Sequence, residues 1–160
     1  MIYTRQDIIK GALIYSSGDT IAALILNDFS WSRLLGIVLI GATVYAFEIP
    51  NYFGWIDKKT AEYKGYKLLF YRTSLAILYF NPIWIARHLL FILLASGKFE
   101  QVSWNLLRIG LLSFLVNIPI SLAANFIIQN KIPLNRRFFA SAVFSALMAV
   151  YYALSIVFFN

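Results

Sequence analysis

The sequence predicts an all-α integral membrane protein: a bundle of five transmembrane helices, with the fourth bent at Pro119. Three observations carry this reading. Of 160 residues, 61% are hydrophobic, 18% aromatic and only 13% charged, about half the charged share of an ordinary soluble chain. That leaves too few polar side chains to cover a globule in water, and too many apolar ones for a disordered chain. Five apolar runs, at 8–26, 34–55, 68–95, 104–128 and 138–159, reach the roughly 17–25 residues that a membrane-crossing helix needs. Finally, five crossings separate the basic residues. Arg5, Lys58, Lys59, Lys64, Lys67, Lys131, Arg136 and Arg137 fall on one side, and Arg33 and Lys98 on the other. Such asymmetry over short loops places the richer side inside, so the N-terminus is expected inside and the C-terminus outside.

Taken in order, the runs form one polytopic domain over residues 1–160. The polar stretch before the first run is too short for a cleavable leader, and none is expected. The connectors hold turn residues: Asn27-Asp28, Asp57-Lys58-Lys59, Ser96-Gly97-Lys98 and Gln129-Asn130-Lys131. The third and fourth runs are long enough to tilt or bend, with Pro82 and Pro119 as the kink points. Trp31, Tyr52, Trp55, Tyr63, Tyr66 and Trp104 lie near run ends, as an interfacial belt requires. Small residues recur in the first run (Gly11, Ala12, Ser16, Ser17, Gly18, Ala22, Ala23). They recur again in the last (Ala142, Ser145, Ala146, Ala149, Ala153). They permit close backbone approach, either within the chain or at a homodimer seam.

Ionisable groups inside apolar runs are costly, and they face a bundle interior or a wet cavity. Asp19, Glu48, Arg87, His88 and Arg108 are of this kind. Arg108 lies about one turn from a run end and can snorkel. Arg72 can snorkel as well, or pair with Glu48. Asp19 and Arg87 are expected at similar depth and therefore as partners, either as an ion pair fixing helix register or as part of a polar lining. His88, the sole histidine, points about 100° away from Arg87 on a helix; it reads as a hydrogen-bonded packing residue or as a pH sensor. With Asn117 and Asn125, these residues form the candidate polar interior: Asp19, Glu48, Arg87, His88, Asn117 and Asn125. Lys131, Arg136 and Arg137 share one short loop and form a candidate site for an anionic lipid headgroup, the alternative being that they only orient the chain.

Catalytic chemistry is not expected. There are no cysteines and one histidine, which rules out thiolate catalysis and the common three-ligand zinc sites. No phosphate-cradling glycine loop, HExxH or nucleophile elbow occurs. Asp19 with Glu48 would make an acid–base pair only if a substrate were indicated. The net charge of +7 is accounted for by orientation, so neither nucleic acid nor a metal or other cofactor is expected.

Several motifs together resemble a known family. Pro119-Ile-Ser-Leu-Ala-Ala-Asn125-Phe126, followed by Ile132-Pro133-Leu134 and Arg137, is similar to the signature of the twenty-two-kilodalton peroxisomal membrane protein family. Gly18-Asp19 resembles the family's Gly-Asp in its first span. The Pro82-to-Gly97 spacing, Trp104, and Tyr151-Tyr152-Ala153-Leu154-Ser155 fall where the family has comparable residues. At 46–53 the chain departs from the family's Gly-Pro-x-x-His-x-Trp-Tyr stretch. The resemblance implies a mitochondrial inner-membrane or peroxisomal protein with channel-like permeability to small polar solutes. The alternative is a non-catalytic accessory subunit packed by its lipid-facing surface into a larger membrane complex.

Overall fold

A computed structural model describes the backbone of residues 3–159 and the side chains of residues 3–151. Ala153 of the small-residue stripe, residues 152–155 of the family resemblance and Asn160 therefore lie outside the described side chains. Every regular element in the described residues is helical: α1 (Arg5–Ile25), α2 (Trp31–Ile40), α3 (Ala46–Lys59), α4 (Gly65–Tyr79), α5 (Pro82–Ala95), α6 (Asn105–Lys131) and α7 (Leu134–Phe159). A π-helical turn at Gly41–Tyr45 joins α2 to α3, and a 3₁₀ turn at Phe99–Gln101 precedes α6. Among the described residues, four stretches are long and apolar enough to cross a membrane: Arg5–Ile25, Trp31–Lys59, Gly65–Ala95 and Asn105–Lys131. The fifth apolar run lies in α7, which has 26 residues.

Polar caps set the boundaries just outside the apolar runs. Thr4 and Ser30 accept, through their hydroxyls, the backbone N–H of Asp7 and Arg33 at 3.1 and 3.2 Å, satisfying donors that a helix start leaves open. The α1 and α5 C-termini are closed by the same device. Asn27 and Gly97 take left-handed φ values of 52° and 71°. The N–H groups of Asn27 and Asp28 then return to Leu24 and Ala23, and those of Gly97 and Lys98 to Leu94 and Leu93. This is a Schellman closure at each helix end.

The two expected kink points behave differently. Asn81 caps α5, its Oδ1 accepting from the Trp84 N–H at 3.0 Å, and Pro82 occupies the first turn. Proline is tolerated there because that N–H has no helical partner. The third run is consequently broken into α4 and α5. By contrast, α6 is one helix from Asn105 to Lys131 with Pro119 inside it.

Close backbone packing ties the helices together. A Cβ on Gly11 would lie 2.1 Å from the Gly41 carbonyl oxygen, and one on Gly41 would lie 2.4 Å from that of Gly11. Only glycine permits this crossing of α1 over the π-helical turn. A Cβ on Gly18 would meet the Ala146 backbone at 2.6 Å, so these small residues of the first and last runs serve packing within one chain. α1 packs most extensively against α7; α4 and α5 lie on α6, and α7 also lies against α6.

Candidate functional site

Asp19, Glu48 and Arg87 are paired, but not as their depths predict, while Arg108 is exposed. Asp19 meets Arg33, not Arg87. Arg33 Nε donates to Asp19 Oδ2 at 2.8 Å and Nη2 to Oδ1 at 2.7 Å. Both residues are 2% exposed. The physical reason is local. The α1–α2 turn is short, and Arg33 stands in the first turn of α2, so its long side chain folds back beside the last turns of α1. Arg33 Nη1 also donates to Asp28 at 3.0 Å, and Lys98 Nζ donates to the same carboxylate. The two Schellman closures place Asp28 and Lys98 side by side, giving an electrically balanced chain Asp19–Arg33–Asp28–Lys98.

Arg87 is held by Glu48. Its Nη1 and Nη2 donate to the two carboxylate oxygens at 2.9 and 2.7 Å, and the Tyr79 hydroxyl donates to Oε2 at 2.8 Å. Three elements, α3, α4 and α5, converge on this carboxylate beside the break at Phe80-Asn81. Both partners remain about one-third exposed, on the flank of the bundle rather than in its interior. Next to Arg87 runs an apolar groove of about 470 Å³ lined by Ile83, Ala86, Leu90, Trp104 and Leu107.

His88 is a core residue. Its Nδ1 lies 2.8 Å from the Tyr45 hydroxyl, and its ring stacks on Trp84 with an interplanar angle of 8°. Tyr45 in turn lies 4.6 Å, centroid to centroid, from Tyr15. Of the two readings its sequence allows, the packing one describes these contacts.

At the opposite end, Asp57 receives two arginines: Arg72 at 2.9 Å and Arg137 at 2.6 Å. Arg137 also donates from Nε to the Ile132 carbonyl at 2.9 Å, and it is 5% exposed. Of the two readings open to Arg72, snorkelling or a pair with Glu48, the second is not found, since its partner is Asp57. Arg137 is occupied in a buried ion pair and is not presented to a headgroup, whereas Lys131 and Arg136 are exposed.

The expected charged lining is thus self-neutralised; what remains of the polar interior is uncharged and lies on α6. Asn117 and Asn125 belong to a longer series, Ser113, Asn117, Ser121, Asn125 and Gln129, with one polar residue every fourth position. All five are buried. Over sixteen residues the series runs about 24 Å along the helix, most of a hydrocarbon core of about 30 Å. Its internal hydrogen bonds are few. Asn117 Nδ2 donates to Ser121 Oγ at 2.7 Å, and Asn125 Nδ2 to the Ser121 carbonyl at 2.9 Å. Ser113 Oγ, Asn117 Oδ1, Asn125 Oδ1 and both amide atoms of Gln129 have no hydrogen-bond partner among the described residues. Buried polar groups are normally satisfied, and leaving one unmade costs about 1–3 kcal/mol. Five such atoms lie along one buried row of a single helix. Asn130, next to Gln129, holds this end of α6 to α4 through Nδ2 to Thr73 Oγ1 at 3.0 Å, with its own Oδ1 unpartnered.

Sequence reasoning missed Ser113, Ser121 and Gln129. The signal was present as an unbroken four-residue period of serines and amides; each of these side chains is individually tolerable in a membrane helix and draws no attention alone. Comparison of the chain with family models, curated proteins and solved structures gives no match.

Proposed function

We propose that this protein is a small integral-membrane permeability protein for small polar solutes, with a pathway alongside the polar face of α6. The observation that carries this reading is the buried series from Ser113 to Gln129, whose unpartnered atoms offer hydrogen bonds to polar solutes at four of its five positions. The chain crosses the bilayer five times, with α4 and α5 as one interrupted crossing and α6 bent at Pro119. The N-terminus and the loops near residues 57–67 and 129–137 are inside, because they hold eight of the ten basic residues that five crossings assign to loops and flanks. The resemblance to the twenty-two-kilodalton peroxisomal membrane protein family supports the same activity and a mitochondrial inner or peroxisomal membrane. Lys131 and Arg136 are the residues left to attract an anionic lipid surface.

The test of function is solute flux in reconstituted vesicles. Purified protein is expected to accelerate glycerol or urea equilibration over protein-free vesicles. Asn125→Leu is expected to slow that flux about tenfold, the kinetic equivalent of about 1.4 kcal/mol, or one lost hydrogen bond. Flux no faster than in protein-free vesicles would reject the reading. For orientation, cysteines introduced at Lys64 and Asn160 should react with an impermeant reagent from opposite sides of the membrane; same-side labelling would reject five crossings.

The apolar groove beside Arg87 favours a second reading, an accessory subunit whose lipid-facing flank seats a helix of a larger complex. Native-gel migration in mild detergent separates the two. A large assembly with fixed partners supports the subunit, and a monomer or small homo-oligomer supports the permeability protein.

A further inference from the structure

We infer that the α6 series selects small neutral molecules carrying two hydrogen-bond donors, such as urea or a short polyol, and rejects ions of either sign. This inference rests on the permeability reading and specifies its substrate class.

The geometry of one helix sets the spacing. Residues four apart rise about 6 Å, and two hydrogen bonds of about 2.8–2.9 Å meeting at one guest span nearly that distance. A molecule with two N–H or O–H groups therefore bridges Ser113 to Asn117, or Asn125 to Gln129, while Ser121 between the two pairs is already engaged by both asparagines. The chemistry of the rungs sets the polarity. Asn117 Oδ1, Asn125 Oδ1 and Gln129 Oε1 are unpartnered acceptors, and Ser113 Oγ can serve as one; Gln129 Nε2 is the one unpartnered nitrogen of the series among the described residues. The orientation of the Asn125 amide is fixed independently, because its other end faces a backbone carbonyl and must donate. An acceptor-rich face favours donors.

Ions fail on two counts. An anion meets amide oxygens where it needs N–H groups. A cation meets an oxygen at a level only about every 6 Å and on one side, too few to replace a hydration shell, which a potassium filter does with rings of carbonyls. The two carboxylates of the apolar runs are already engaged, Asp19 by Arg33 and Glu48 by Arg87. At the Gln129 end the exposed side chains include Lys58, Lys59, Lys64, Lys67, Lys131 and Arg136, against Glu62. Asp57 there is held by two arginines. This positive rim repels cations before they enter.

The experiment combines vesicle flux with conductance across planar bilayers in potassium chloride, using the same protein preparation. The expected result is urea and glycerol flux well above protein-free vesicles, independent of ionic strength, with no unit conductance. Asn125→Leu and Gln129→Leu should each slow that flux at unchanged zero conductance, and having two variants guards against one that fails to fold. Flux accompanied by cation- or anion-selective conductance overturns this inference and leaves the permeability reading standing. Absence of flux for every neutral solute overturns both.

Discussion

Replacing Arg33 with glutamine should cost about 3–5 kcal/mol of stability, the usual penalty for stranding one member of a buried ion pair. Asp19 then keeps a buried carboxylate from which two charge-assisted hydrogen bonds have been removed. Asp19→Asn should cost less, because Arg33 retains Asp28 at 3.0 Å. The double replacement Asp19→Leu with Arg33→Met should be closer to the parent than Arg33→Gln alone, since it removes the charges together and leaves apolar volume. Asp28→Asn is the control: its side chain is 36% exposed, and exposed pairs contribute about 0–1 kcal/mol. Unfolding of the four variants in detergent, followed by circular dichroism, measures the order. A double variant that loses the sum of the single losses would show that Asp19 and Arg33 act independently, contrary to the geometry.

That pair also marks where sequence reasoning succeeds and where it stops. Apolar runs located every helix, because only a long apolar stretch meets the composition; 8–26 became Arg5–Ile25 and 104–128 became Asn105–Lys131. The starts of α1 and α2 moved outward, from 8 to 5 and from 34 to 31, because Thr4 and Ser30 cap from within polar flanks that hydropathy discards. Depth along a run correctly marked Asp19, Glu48 and Arg87 as needing partners. It could not choose them, since partnership depends on helix rotation and on the reach of side chains from outside the run. Arg33 was assigned to a loop, yet it sits in a helical first turn and reaches inward. Asp57 likewise gathers Arg72 and Arg137 from segments far apart in the chain. At Pro82 a kink within one run was expected, and the structure instead ends α4 at Tyr79 and starts α5 at Pro82 under the Asn81 cap, because an amide cap followed by proline starts a helix. The α6 series was half legible. Asparagines in an apolar run are conspicuous, whereas serines and a glutamine near the run's end are ordinary until the structure shows each of them buried.

The same series should show opposite responses in stability and in flux. Gln129 is 0% exposed, and neither atom of its amide has a partner among the described residues. Replacing it with leucine removes two unsatisfied polar atoms and keeps a comparable apolar volume. Each such atom costs about 1–3 kcal/mol, so Gln129→Leu should raise stability in detergent by about 2 kcal/mol. A residue present only for packing would by then have given its whole effect, and transport would not change. A rung of the pathway behaves differently. The amide offers a passing solute both a donor and an acceptor, so its loss removes about two hydrogen bonds of about 1.4 kcal/mol each, and urea flux should fall about a hundredfold. Higher stability with lower flux is the pattern of a site held in an unsatisfied state for its guests. Gln129→Glu separates polarity from charge: it keeps acceptors in place, but it puts a carboxylate at a fully buried position and should lower stability. Higher stability with unchanged flux in Gln129→Leu would place the pathway elsewhere in the bundle and leave Gln129 outside it.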